Sequence, residues 1–173
     1  MRLINYQHLI PAIMPLTPSE KKLLLDKVGW DCQITDYINS MDEAQIYILA
    51  GLRQATIGSH PALIRNDIRW WACNCQTEQP NERWAAYSNA DLIREGQPPR
   101  DDDGNPYGLF HIGQHLDSPL AELSQTEFMS IQNTSSNQCV IADNTNNEES
   151  SHWQERYRMF NPEELNIIHQ YRK

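Results

Sequence analysis

The chain has 173 residues, of which 39% are hydrophobic and 21% charged, the proportions of a globular domain long enough to bury roughly 70% of its unfolded surface. Its mean hydropathy is −0.67 and no apolar run approaches the roughly 18 residues of a membrane helix, while 5 Trp, 7 Tyr and 3 Phe argue against a fully disordered chain. With 14 Lys and Arg against 23 Asp and Glu the net charge is −9, so approach to a phosphate backbone costs electrostatic work and a basic nucleic-acid module is disfavoured.

The first residues, Met1 to Pro15, carry Asn5, Gln7, His8 and Pro11 inside their apolar stretch, which makes a poor secretion-signal core. The expected location is cytoplasmic. Thr17 to Val28 reads as a helix: Thr17 or Ser19 caps it, Pro18 suits its first turn, and Gly29 stops it. Ser40 to Leu49 reads as a second, with Ser40 and Glu43 in the spacing of a capping box and Gly51 as its end. Leu52 to Ile57 and Pro61 to Ile64 flank Gly58-Ser59, a turn dipeptide, and predict a hairpin. Ile68 to Cys75, with Trp70 and Trp71, is either a strand or an irregular strap; if extended, one tryptophan packs inward. A helix is expected over Asn89 to Glu95, capped by Ser88 or Asn89 and stopped at Gly96.

Gln97 to Pro106 is turn-rich, with Asp103-Gly104 as its strongest signal; Asp101, Asp102 and Asp103 read as a solvated turn. Tyr107 to Ile112 predicts a short strand. Leu120 to Met129 reads as helical with Glu122 and Glu127 exposed. Ser130 to Ser151 is rich in Asn, Ser and Thr and reads mostly as loop. His152 to Met159 and Glu163 to Tyr171 predict two closing helices. The 4 cysteines, Cys32, Cys73, Cys75 and Cys139, are expected to be reduced and mostly buried, with a structural zinc site as the alternative. His8, His60 and His169 are isolated, and Gly113 between His111 and His115 argues against a helical metal pair there.

The stretch from Ser88 to Glu127 contains Glu95-Gly96, the turn from Pro99 to Pro106, His111-Ile112-Gly113-Gln114, and Asp117-Ser118-Pro119-Leu120-Ala121-Glu122-Leu123. Upstream stand Gly29-Trp30 and Ala62 to Ile68; downstream stand His152-Trp153 and Arg156-Tyr157. Together these resemble the toxin nucleases of the HNH/endonuclease VII superfamily whose signature is Leu-His-His followed by Ile-Gly-Gln. The resemblance covers about residues 29–160. It implies an α+β fold with a ββα-metal core and added N- and C-terminal helices. The domains expected are a helical extension over 1–28, the nuclease-like domain over 29–160, and a terminal helix over 161–173.

In that family a divalent metal held by imidazoles polarises the scissile phosphate, and a neighbouring imidazole activates water. The resemblance puts His111 at the general-base position. It puts Phe110 and Phe128 at positions where metal-ligating histidines are expected, Gly108 where a Glu is expected, and Gln138-Cys139-Val140 where a further histidine is expected. Phenylalanine cannot ligate a metal, so no metal ligand set and no cofactor are expected; the alternative is a divalent ion such as Mg or Zn on oxygen donors. Gln114, Asp117, Glu127, Arg65 and Asp67 are the remaining cleft candidates. The function expected is a degenerate nuclease domain that binds a protein partner, with no membrane role. The alternatives are an active DNase effector toxin, delivered into a target cell, and an inhibitor or immunity-like interaction protein.

Overall fold

The computed structural model describes residues 15–71, 86–134 and 146–160. Helix α1 (Pro18–Val28) begins as its sequence dictates. Thr17 Oγ1 accepts from the Glu20 N–H and the Glu20 carboxylate accepts from the Thr17 N–H; the Gly29 N–H closes the other end on Leu24 and Leu25 carbonyls. A single turn, α2 (Cys32–Thr35), is capped by Asp31. In α3 (Met41–Leu49) Ser40 accepts from the Glu43 N–H, but the reciprocal half of the expected capping box is missing. The Glu43 side chain turns into the protein instead.

Strands β1 (Arg53–Ile57) and β2 (His60–Ile64) form the expected hairpin, paired Ile57 to His60 across Gly58-Ser59. Helix α4 (Asn89–Arg94) starts at a capping box between Ser88 and Asp91. Strand β3 (Gly108–His111) leads through a 3₁₀ turn over Ile112–Gln114 to β4 (Leu120–Leu123), and α5 (Gln125–Thr134) follows directly. Helix α6 (Asn146–Arg158) ends the described chain. The sheet order is β1-β2-β4-β3; β4 runs parallel to β2 and antiparallel to β3.

Side chains alternate across this sheet, and both faces are covered. Leu63, Ala121 and Leu123 point into the main core, where Leu24 of α1 meets Trp30, Ile34, Tyr47, Ile112 and Ile131, with Phe110 packed against it. Leu109 points to the other face, against α4 and α6, where Ile93 and Trp153 are buried, and Ile64 packs with Ile57 and Ala62 in a smaller cluster of the first hairpin. The result is the expected α+β fold: β3, β4 and α5 make a ββα unit, to which the remaining helices and the first hairpin are added.

Several expectations need correction. Leu120 to Met129 is not one helix: Leu120 to Leu123 lies between two strands and pairs with both. The helix begins only where Ser124 and Glu127 form their own capping box, Ser124 N–H to the Glu127 carboxylate at 2.7 Å and Glu127 N–H to Ser124 Oγ at 3.3 Å. That Ser-x-x-Glu signal is present in the sequence. Glu122, expected on the surface, is fully buried. The loop expected over Ser130 to Ser151 is helical at both ends, because α5 runs to Thr134 and α6 starts at Asn146. The acids of α6's first turn and the arginines of its last turn complement the helix dipole.

Cys32 is a free and exposed thiol rather than a buried one, since it lies on the outer side of a single turn whose Ile34 and Thr35 face inward. Trp70 and Trp71 stand in a turn, not a strand. Trp70 packs against the second core with the Arg156 guanidinium 5.1 Å from its ring centre, and Trp71 stays exposed. The expectations for Cys73, Cys75, Gln138, Cys139, Val140, His8, His169 and the helix over Glu163 to Tyr171 lie outside the described residues.

Candidate functional site

His111 is the last residue of β3, and its ring is held from behind. Nδ1 lies 3.1 Å from the Ser118 carbonyl; a carbonyl only accepts, so Nδ1 carries a proton, and in the neutral imidazole Nε2 keeps its lone pair. The orientation is set by the turn between β3 and β4, where the Ile112 N–H also donates to the Pro119 carbonyl. His111 and Asp117 line a groove of about 840 Å³ between that turn, the β1–β2 hairpin and α6.

The turn that carries His111 is clamped from α3. The buried Glu43 carboxylate accepts from the Gly113 N–H at 2.8 Å, from the Asn39 N–H at 2.9 Å and from the Tyr47 hydroxyl at 2.7 Å. Asn39 Nδ2 donates back to the Gly113 carbonyl at 2.7 Å. Both backbone groups of Gly113 are therefore held by side chains some seventy residues upstream. Gly113 sits at φ +65°, and a Cβ there would fall 1.9 Å from the Tyr37 carbonyl oxygen. The Gly113→Ala change should cost roughly 2–4 kcal/mol, combining left-handed strain with overpacking. Chemical denaturation measures it; a midpoint equal to that of the natural protein would show that the turn is not clamped. Gln114 follows at φ +61° with its Nε2 buried and unpartnered.

Phe110 points to the opposite face of β3. Its ring stacks on Phe128 of α5, with centroids 3.9 Å apart and planes 17° from parallel. Phe128 is buried and Phe110 half-buried. Gly108 completes this unit, because a Cβ at that position would lie 2.8 Å from the Phe110 ring. The Phe ring lies across the space a side chain at Gly108 would need.

The other candidates form a separate ion-pair cluster. Arg65 donates to Asp67 through Nε and Nη2 and to Glu127 through Nη1 at 2.6 Å, and its guanidinium lies 4.7 Å from the Tyr107 ring centre. Burial opposes the Arg65 charge, but the hydrogen bonds to Asp67 and Glu127 outweigh it and hold its pKa above the usual arginine value. The hydrogen bond from Arg65 holds the Asp67 carboxyl below its usual value. Burial pushes the Tyr107 phenol up to about 12. Arg65, Asp67, Glu127 and Gln114 are not among the groove's described lining residues, so the structure does not gather the cleft candidates into one site.

The groove brings in residues that the sequence did not single out as a site. His152 and Glu155 of α6 form one wall. His152 donates from Nε2 to the buried Glu122 carboxylate at 3.0 Å. Arg156 donates to the same carboxylate at 2.7 Å and to the Arg65 carbonyl at 3.1 Å, and the Arg65 N–H donates to it at 2.9 Å. The one signal for this wall in the sequence is the His-Trp…Arg spacing near the chain end.

A ββα unit with an imidazole at the end of its first strand is consistent with an HNH-like core. Residues 88–159 match the model of the family described as LHH, a nuclease of the HNH/ENDO VII superfamily with conserved LHH, and this segment is similar to that family. No curated protein and no solved structure matches the chain. The resemblance sets the Leu-His-His signature against Leu109-Phe110-His111, which would put a phenyl ring where the middle imidazole is expected. A metal of the family type does not fit these residues: the two rings at the expected ligand positions are packed on each other. Among the described residues no three His, Cys, Asp or Glu side chains converge to hold an ion. No described helix is long and apolar enough to cross a membrane.

Proposed function

We propose that this domain is a nuclease scaffold turned to binding: it keeps the ββα unit and the oriented His111, and engages a protein partner instead of cleaving DNA. The observation that carries this reading is the Phe110–Phe128 stack over Gly108. Metal-assisted hydrolysis needs a cation to stabilise the phosphate charge, and imidazole alone does not supply it. The net charge of −9 opposes nucleic-acid approach as well. Such a domain would serve as an inhibitor or as a disarmed member of a toxin family.

Plasmid nicking with Mg²⁺, Mn²⁺, Ni²⁺ or Zn²⁺ tests the reading. The expected result is no metal-dependent nicking, together with substoichiometric metal after dialysis. Nicking that depends on metal and is lost in His111→Ala would overturn it in favour of an active DNase with oxygen ligands, the alternative supported by the free Nε2 of His111.

A further inference from the structure

The charge of the groove is one-sided, although Gln33, Tyr37, Ser59, His60 and Ser151 also line it and can donate. His111 spends its Nδ1 proton on the Ser118 carbonyl, so in the neutral ring Nε2 is an acceptor. His152, more than nine-tenths buried, spends its Nε2 proton on Glu122. In the neutral ring its Nδ1 is then a second acceptor, and no described protein group donates to it. Asp117, Glu148 and Glu155 add carboxylates, the last of them also accepting from Arg158. No Lys or Arg is among the described lining residues. Leu116, 65% exposed, stands at the rim.

A cavity lined by carboxylates and imidazole acceptors, with no Lys or Arg among its described residues, is complementary to a group that carries donors and a positive charge. We propose that the groove receives a guanidinium or ammonium side chain from a basic segment of a protein partner, with Leu116 covering its aliphatic stem. This rests on the binding-scaffold reading above and names the chemistry of the partner. A phosphate-bearing ligand would face the Asp117 and Glu148 carboxylates, and the nearby Arg158 is engaged with Glu155. Arginine suits the site better than lysine, because its planar fork can reach two acceptors at once.

The probe is an eight-residue capped peptide of alternating Arg and Leu, titrated into the full chain with isotope-labelled histidines. Binding should shift the His111 and His152 imidazole resonances. The triple change Asp117→Asn, Glu148→Gln, Glu155→Gln should weaken it about tenfold or more. The triple change Asp26→Asn, Asp42→Asn, Asp103→Asn removes the same charge from exposed positions elsewhere and should weaken it less than about twofold, as screened long-range attraction predicts. Circular dichroism confirms that both variants fold. Equal weakening by the two triples, or peptide binding that leaves both imidazoles unmoved, overturns the proposal. So does a single-stranded oligonucleotide that shifts the same imidazoles in place of the peptide. Metal-dependent nicking by the natural chain would remove the parent reading alone and leave the peptide result standing.

Discussion

Glu122→Ala should lower the stability of this domain by about 3–5 kcal/mol, a melting-temperature loss on the order of 10 °C for a chain of this size. The reason is burial. Glu122 is fully buried, and Arg156, His152 and the Arg65 N–H all donate to its carboxylate. Removing it leaves the Arg156 charge at 4% exposure without its carboxylate partner. The pair Lys21–Asp36 is a control of similar length, 2.6 Å against 2.7 Å, but its side chains are 34% and 56% exposed. Solvent screens that pair, and Asp36→Ala should cost less than about 1 kcal/mol. Thermal melts of the two variants side by side check the contrast. Equal losses would mean that the Glu122 network adds nothing beyond a surface ion pair. The network also ties β4 to α6, so Glu122→Ala should loosen the wall of the groove that carries His152 and Glu155.

Elements whose ends are written locally are legible in the amino-acid sequence. Thr17 with Glu20, Ser88 with Asp91, and Gly58-Ser59 each satisfy their own backbone groups, so α1, α4 and the first hairpin follow from short-range chemistry. Leu120 to Leu123 carries no such mark. Its strand state comes from pairing with β2 and β3, residues that the chain brings alongside only on folding. The two buried acids are illegible for the same reason. Glu43 has the spacing of a helix cap, yet its carboxylate serves Gly113, and Glu122 has the look of a surface residue, yet Arg156 and His152 lie over it. The candidate site divides along this line. The position of His111 follows from the Ile-Gly-Gln that succeeds it. The groove does not, because its walls come from the first hairpin, the β3–β4 turn and α6, segments tens of residues apart.

Introducing imidazoles at positions 110 and 128 should test whether the phenyl stack occupies ligand positions. In the double change Phe110→His, Phe128→His, two rings whose centroids lie 3.9 Å apart become two potential ligands on neighbouring elements. The exchange should first destabilise the apo protein by a few kcal/mol, since ring volume is lost and polar nitrogens enter an apolar contact. Zinc that binds only the folded state would then return part of the loss, about 2.7 kcal/mol at a hundred times its dissociation constant. Melting temperature should therefore become zinc-dependent in the double variant and stay zinc-independent in the natural protein. Gly108 supplies a second, metal-free arm. Gly108→Glu in the natural background forces a Cβ to within 2.8 Å of the Phe110 ring and should cost roughly 1–3 kcal/mol. In the Phe110→Ala background that clash is gone, so the two changes should be coupled in a double-mutant cycle. A folded double-histidine variant that gains no zinc-dependent stability would show that positions 110 and 128 do not form one ligand site. The carry-over of ligand positions from the nuclease family would then fail, while additivity of Gly108→Glu with Phe110→Ala would deny that the aromatic stack and the glycine form a single packed unit.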